Sequence, residues 1–133
     1  MANKIAITKR QDEKRAYTHL TRLFPWGHFQ RLESWTGTGI FDVNLCLNGI
    51  ESWIECKEAK DVMRDTTKIK CKVQRSQIPW ETRRRQCGGR TYVALMVGER
   101  FYLIRGSYLA DLKKGVTRKW LEGVKLDPNV LGR

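Results

Sequence analysis

Residues 39–58 constrain the fold more than any other stretch, because two runs rich in β-branched and aromatic side chains flank Asn48-Gly49. Asn-Gly is the dipeptide that best fits the two loop positions of a type I′ hairpin turn, where both residues have positive φ. The stretch therefore predicts a β-hairpin. With this dipeptide in the loop, counting outward along both strands places Asp42 directly opposite Glu55, with Cβ atoms about 4.5–5.5 Å apart.

The two faces of this hairpin differ in chemistry, because successive side chains of a strand point to opposite faces. Lys57 lies two residues beyond Glu55 and shares a face with it and with Asp42. The opposite face is expected to point to the core, and it carries Phe41, Val43, Leu45, Leu47, Ile50, Ser52, Ile54 and Cys56. The polar face is thus the candidate for chemistry.

Two adjacent carboxylates repel each other unless a cation lies between them. Mg²⁺ suits this position, because it prefers oxygen ligands and keeps several waters. A lysine beside such an ion can hold an attacking water or stabilise a negatively charged transition state. The alternative is a solvated hairpin face on which Asp42, Glu55 and Lys57 have no chemical role, since charged residues usually cover exposed sheet faces.

Asp42, followed on the next strand by Glu55-Cys56-Lys57, resembles the signature of the PD-(D/E)XK nuclease superfamily. Phe41 occupies the position of the proline for which the motif is named. The resemblance implies that Asp42, Glu55 and the backbone carbonyl of Cys56 bind Mg²⁺, with Mn²⁺ able to substitute. It also implies that Lys57 assists the hydrolysis of a phosphodiester bond.

A second part of the resemblance lies downstream. Gln77 resembles the helix-borne glutamine of the Holliday-junction-resolvase-like and VRR-NUC (virus-type replication-repair) branches. The run Gly88-Gly89-Arg90 before a hydrophobic strand is similar to theirs as well, so the resemblance covers about residues 9–105. It implies a restriction-endonuclease-like α/β core, a catalytic role for Gln77 through a phosphate oxygen or a water, and a phage or prophage protein.

The function implied by this resemblance is a Mg²⁺-dependent DNA endonuclease that prefers branched DNA such as Holliday junctions. A resolvase must cut two strands symmetrically, which favours a C2 homodimer. One alternative is a non-catalytic nucleic-acid-binding module on a nuclease scaffold. Another is a site-specific restriction-type nuclease, which needs a base-reading element that the sequence does not reveal.

Glu13 is a further candidate, on the first predicted helix at residues 8–24. It extends a helical stripe of apolar residues, and a carboxylate on the core side of a helix is costly without a partner. Related nucleases place a first-helix glutamate near the metal, so the resemblance implies a catalytic role for Glu13. The alternatives are a first-turn glutamate that only complements the helix dipole and a competing role for Glu33, in or beside the first strand.

The charge of the chain points to a polyanionic partner. Its 133 residues include 26 Lys and Arg against 14 Asp and Glu, a net charge of +12, and nucleic acid is the foremost partner for such a surface. Charge alone does not separate an enzyme from a binder. The four cysteines include no CxxC pair, which disfavours a zinc site. No apolar run approaches the roughly 18 residues of a membrane span, and the N-terminus lacks a secretory signal, so we expect a cytoplasmic protein.

Two segments are candidates for DNA contact. The second long helix is predicted from Ser76 to about Gln86, and the polar loop at residues 59–72 is expected to lie over the site. Solvated surfaces are the alternative for both. The basic residues assigned to DNA binding are Arg83, Arg84, Arg85, Lys68, Lys70 and Lys72.

The predicted element order is α, β, β, β, α, β, β, α, which gives one domain with a mixed sheet flanked by helices. The apolar run at residues 91–97 is typical of a central strand covered on both faces. Residues 106–133 are expected to form short helices at 107–114 and 117–122 and then a tail that frays or lies across a surface.

Overall fold

The computed structural model describes residues 14–32 and 38–133. Helix α1 covers residues 14–23 of the described chain. The further elements are β1 His28–Arg31, β2 Val43–Leu47, β3 Ile50–Ala59, α2 Gln77–Gln86, β4 Thr91–Val97, β5 Arg100–Arg105, α3 Leu109–Lys114 and α4 Arg118–Val124, with 3-10 turns at Gly106–Tyr108 and Pro128–Gly132. The strands form one five-stranded sheet in the order β1-β2-β3-β4-β5. Among the described strands only β3 and β4 pair in parallel, so the predicted mixed sheet with flanking helices is confirmed.

The predicted hairpin is formed by β2 and β3 in the expected register. Leu47 pairs with Ile50 and Val43 with Ile54. Asn48 and Gly49 have φ values of 54° and 76°, as both loop residues of a type I′ turn require. The turn thus sets which side chains of β2 and β3 share a face.

Both faces of the sheet are covered. On the first face, α1 packs against the core-facing residues of the hairpin, and the buried members of this cluster include Ala16, Leu20, Phe24, Val43, Leu45, Ile54 and Cys56. The second face is covered by α2, α3 and α4, with buried Val93, Leu95, Leu109, Leu112 and Leu121. All seven residues of β4 are buried, which confirms the prediction of a central strand covered on both sides.

Phe41 lies on the opposite face of the sheet from the one predicted. It was expected beside Val43 on the first face, but it packs in the cluster of the second face, with its ring 5.1 Å from that of Trp80. The physical reason is that β2 begins only at Val43 and the chain bends at Asp42. Side-chain alternation therefore does not extend back to Phe41.

Several predicted boundaries move by a few residues. The first strand was expected at residues 28–35 and is described at His28–Arg31, while residues 33–37 lie outside the described ranges. Ser76 does occupy the N-cap position of α2, but it has helical backbone angles and its side chain makes no capping bond. No helix in the described ranges is long and apolar enough to cross a membrane.

The C-terminal segment lies across the first face of the sheet, which decides between the two expectations for the tail. Leu131 is fully buried in that face's cluster. Leu126 donates its backbone N–H to the carbonyl of Leu103 in β5 at 2.7 Å. Arg90 donates to the carbonyls of Val130 and Arg133 at 2.7 and 3.1 Å. The tail is therefore tied to the sheet by both apolar and polar contacts.

Candidate active site

Asp42 and Glu55 face each other where the hairpin opens, as the register requires. The backbone N–H of Asp42 donates to Oε1 of Glu55 at 3.2 Å. In the other direction, the N–H of Cys56 donates to Oδ1 of Asp42 at 3.1 Å. Each carboxylate is thus held by a backbone amide of the opposite strand, which fixes its position relative to the other.

Lys57 and Gln77 complete a network around Glu55. The Lys57 ammonium lies 3.1 Å from Oε2 of Glu55 and donates to Oε1 of Gln77 at 3.1 Å. The Gln77 amide nitrogen donates to the same Glu55 oxygen at 2.5 Å. Gln77 Oε1 also accepts from the backbone N–H of Gln74 at 3.1 Å. The structure therefore brings Asp42, Glu55, Lys57 and Gln77 together, although their catalytic role stays a prediction.

This network lies almost entirely inside the protein. Glu55, Lys57 and Gln77 are only 1%, 3% and 3% exposed, whereas Asp42 is part-exposed. The alternative of a solvated hairpin face does not hold, because α2 covers this face, while metal binding by its carboxylates stays a prediction. Buried charges persist only when they are paired and hydrogen-bonded, so the Glu55–Lys57 pair and the Gln77 amide stabilise one another.

The sequence holds the site together through one close backbone contact. Gly39 has a φ of +80°, and a Cβ on it would lie 2.0 Å from the carbonyl oxygen of Ser76. Only glycine fits both this conformation and this approach. Its presence lets the segment that leads to Asp42 pass directly against the start of α2, where Gln77 is the first helical residue.

Asp42 and Glu55 are the carboxylates of this site that could hold a hard divalent cation. The carboxylates of Asp42 and Glu55 lie close together across the hairpin. The N–H of Cys56 points toward Asp42 and not toward β4. Because the N–H and C=O of one strand residue point to the same side, the Cys56 carbonyl is directed to the β2 side of β3 as well. Within residues 14–32 and 38–133, no group of three or more His, Cys, Asp or Glu side chains is placed to hold a metal. A site built here would have few protein ligands and several waters, as Mg²⁺ sites usually do.

The remaining predicted residues divide into two groups. Glu13 and its competitor Glu33 lie outside the described residues. The six basic residues assigned to DNA binding are all exposed, but two of those on α2 are engaged within the chain. Arg85 forms an ion pair with Glu81 at 2.9 Å, and Arg84 lies over aromatic rings. DNA contact by these residues stays a prediction.

Glu81 is a buried carboxylate that was not among the predicted site residues. It is 3% exposed and accepts a 2.6 Å hydrogen bond from the hydroxyl of Thr91 in addition to its pair with Arg85. Its position four residues after Gln77, on the same helix face, was the available signal. These partners separate it from the network around Glu55.

The four cysteines, Cys46, Cys56, Cys71 and Cys87, form no disulfide. Burial raises the pKa of the Cys71 thiol to about 11, and the positive charge of Lys57 opposes this increase only in part. Cys71 is therefore a neutral thiol near the site at physiological pH.

No protein-family profile and no curated protein sequence matches this chain. Among solved structures, the fold is similar to that of Hjc from Archaeoglobus fulgidus, described as a Holliday junction resolvase from an archaeal hyperthermophile. The TM-score is 0.59 at 14% sequence identity, and the alignment covers 90% of this chain and 99% of the archaeal chain. At this identity the likeness shows a shared fold.

Proposed function

We propose that this protein is a metal-dependent DNA endonuclease that acts on branched DNA. The observation that carries the proposal is the joint placement of Asp42, Glu55, Lys57 and Gln77 within one hydrogen-bonded cluster. This cluster lies in a fold that a Holliday junction resolvase shares. The net charge of +12 supports a polyanionic substrate.

The carboxylates of Asp42 and Glu55 and the carbonyl of Cys56 would hold Mg²⁺ or Mn²⁺. When bound, the ion offsets the negative charge that develops on the phosphoryl oxygens during hydrolysis. The N–H of Cys56 pre-positions the Asp42 carboxylate and the N–H of Asp42 that of Glu55, so little reorganisation is needed when substrate arrives.

Lys57 is the residue of the site that would hold the attacking water or a phosphate oxygen. Its ammonium is kept in place by Glu55 and by the oxygen of Gln77. The Gln77 side chain bridges Lys57 and Glu55, because it accepts a hydrogen bond from the first and donates one to the second without adding charge. In this role Gln77 orients the lysine rather than reacting.

Two symmetric cuts in a four-way junction require two sites related by a two-fold axis, so we propose that the active form is a C2 homodimer. Each protomer would supply one complete copy of the Asp42–Gln77 cluster. This expectation rests on the symmetry of the substrate.

One observation favours a second function, that of a non-catalytic nucleic-acid-binding module. Both oxygens of Glu55 already accept hydrogen bonds within the chain, and Lys57 neutralises the carboxylate. Such a network needs no metal ion to balance its charge, and it could therefore serve only the stability of the fold. The two functions share DNA binding and differ in cleavage.

The test is a cleavage assay with labelled four-way junction and a linear duplex of matching sequence, in Mg²⁺ or EDTA. Asp42→Asn removes the ligand charge, and Glu51→Gln, at an exposed glutamate of β3, is the matched control. We expect paired nicks in the junction that require Mg²⁺ and disappear only with Asp42→Asn. Equal cleavage of both substrates would remove the preference for branched DNA, and salt-sensitive binding without cleavage in Mg²⁺ or Mn²⁺ would support the binding module.

A further inference from the structure

Arg84 on α2 lies in the angle between two tryptophan side chains. Its guanidinium carbon is 5.2 Å from the ring centroid of Trp53 and 5.2 Å from that of Trp80. The two indoles are 5.5 Å apart and nearly perpendicular, at 70°. Both rings are half-buried, whereas Arg84 is exposed. A guanidinium on two aromatic faces gains cation–π attraction and loses much of its rotamer freedom.

Gly89 confines Arg84 from another side. A Cβ on Gly89 would lie 2.7 Å from both Cγ and Cδ of Arg84, so the arginine stem occupies the space that a side chain at residue 89 would fill. The N–H of Gly89 also donates to the Arg84 carbonyl at 2.9 Å. The stem of Arg84 is therefore fixed by a glycine and its head by two indoles.

The neighbouring arginines are held differently. Arg85 is paired with buried Glu81 at 2.9 Å, which neutralises much of its charge. Arg83 is simply exposed on the helix surface. Arg84 therefore combines a fixed position with a net positive charge.

Arg84 lies on the same side of the protein as the candidate active site. Trp53 precedes Glu55 by two residues in β3 and shares its face, at about 7 Å along the strand. Arg84 follows Gln77 by seven residues in α2, which is about 10 Å along the helix on the same side. A guanidinium at this distance reaches the backbone of a duplex about three nucleotides from a phosphate held by Lys57, at about 3.4 Å per nucleotide.

We propose that Arg84 is a pre-organised phosphate contact that sets the register of the DNA strand relative to the active site. The proposal rests on the proposed nuclease function for the identity of the site. The contacts with both indoles would hold the guanidinium in one position, and a guanidinium held in this way can donate two parallel N–H bonds to the oxygens of one phosphate. Because its rotamer is set before DNA binds, little entropy is lost on contact.

The test compares Arg→Ala and Arg→Lys at two adjacent positions. Affinity for a labelled four-way junction is measured in EDTA by fluorescence anisotropy over a range of salt concentrations. At Arg84 we expect both substitutions to weaken binding by about tenfold, because lysine keeps the charge but loses the planar fork. At Arg83 we expect a loss with alanine that lysine restores, since an unrestrained surface charge acts through charge alone. Arg84→Ala should also lower the salt slope by about one phosphate contact.

Gly89→Ala supplies an independent variant that changes no charge, because its Cβ would lie 2.7 Å from the Arg84 stem and 2.8 Å from the Arg84 carbonyl oxygen and so displace both. We expect it to weaken binding as Arg84→Lys does, and thermal unfolding of each variant identifies loss of fold. If the Arg84 contact sets the position of the strand, then in Mg²⁺ the Arg84→Lys protein should cut at several neighbouring phosphates where the wild type cuts at one. Wild-type affinity of Arg84→Lys, or lower thermal stability without weaker binding, would show that Arg84 only packs on the tryptophans. Because the binding assay needs no cleavage, an inactive wild type would remove the nuclease function and leave the Arg84 contact to be judged by affinity.

Discussion

The buried pair of Glu55 and Lys57 gives the sharpest prediction for stability. Lys57→Met keeps an unbranched apolar stem but leaves the Glu55 carboxylate, 1% exposed, with hydrogen bonds and no counter-charge. Removal of one partner of a buried ion pair costs about 3–5 kcal/mol. Since domains of this kind unfold with about 5–15 kcal/mol, the variant should lose a large part of its stability. Urea unfolding followed by circular dichroism measures this loss.

The double variant Glu55→Gln/Lys57→Met separates the pair from its surroundings. The Glu55→Gln change removes the uncompensated charge and retains a side chain that can bond with Gln77, so we expect the double variant to recover to within about 1 kcal/mol of the wild type. With Glu55→Gln alone completing a double-mutant cycle, we expect the coupling free energy between the two positions to be large and favourable. A loss below about 1 kcal/mol for Lys57→Met alone would refute the reasoning, because it would mean that water reaches Glu55 in the folded protein.

Three further predictions concern metal binding, thiol reactivity and the loop after β3. With 10 mM free Mg²⁺ and a dissociation constant of about 1 mM, metal binding should raise the free energy of unfolding of the wild type by about 1.4 kcal/mol. Urea unfolding measures this increase, and Asp42→Asn should not show it. Because the pKa of Cys71 is raised to about 11, little of its reactive thiolate forms at pH 8.5. Mass spectrometry should therefore find that Cys71 is alkylated more slowly than exposed Cys87. Equal rates of alkylation would contradict the burial of Cys71. Arg118 binds Asp61, Val62 and Asp65 of the loop, so Arg118→Ala should speed tryptic cleavage of this loop. The free energy of unfolding should change by at most about 1 kcal/mol, because the two carboxylates are largely exposed. Unchanged proteolysis would show that other contacts hold the loop.

The hairpin and the site on it were accessible from sequence because their geometry is local. Asn48-Gly49 selects one turn type, and the turn fixes the register. From the register alone it follows that Asp42 meets Glu55 and that Lys57 shares their face. The apolar run of β4 was equally informative, because strands covered on both faces carry near-continuous apolar runs, and all seven residues of β4 are buried.

What the sequence left open depends on contacts between distant elements. Phe41 left its expected face because the chain bends at Asp42, and no local pattern marks that bend. The burial of Glu55 and Lys57 follows from the way α2 lies over β3, which depends on the close approach of Gly39 to Ser76. Arg84 was assigned to DNA together with its neighbours, and only the tertiary structure separates a stacked arginine from a paired one and an exposed one.

The self-contained network around Glu55 also makes the two proposed functions separable without any DNA. If the pair is purely structural, an apolar or neutral replacement of both partners should leave the protein as stable as before and Mg²⁺ should not change its unfolding. If the carboxylates are metal ligands, Mg²⁺ should stabilise the wild type but neither Asp42→Asn nor the Glu55→Gln/Lys57→Met protein. The lysine and glutamine would then hold the Glu55 carboxylate in position until an ion binds, which explains why charged residues are kept at a site this deeply buried.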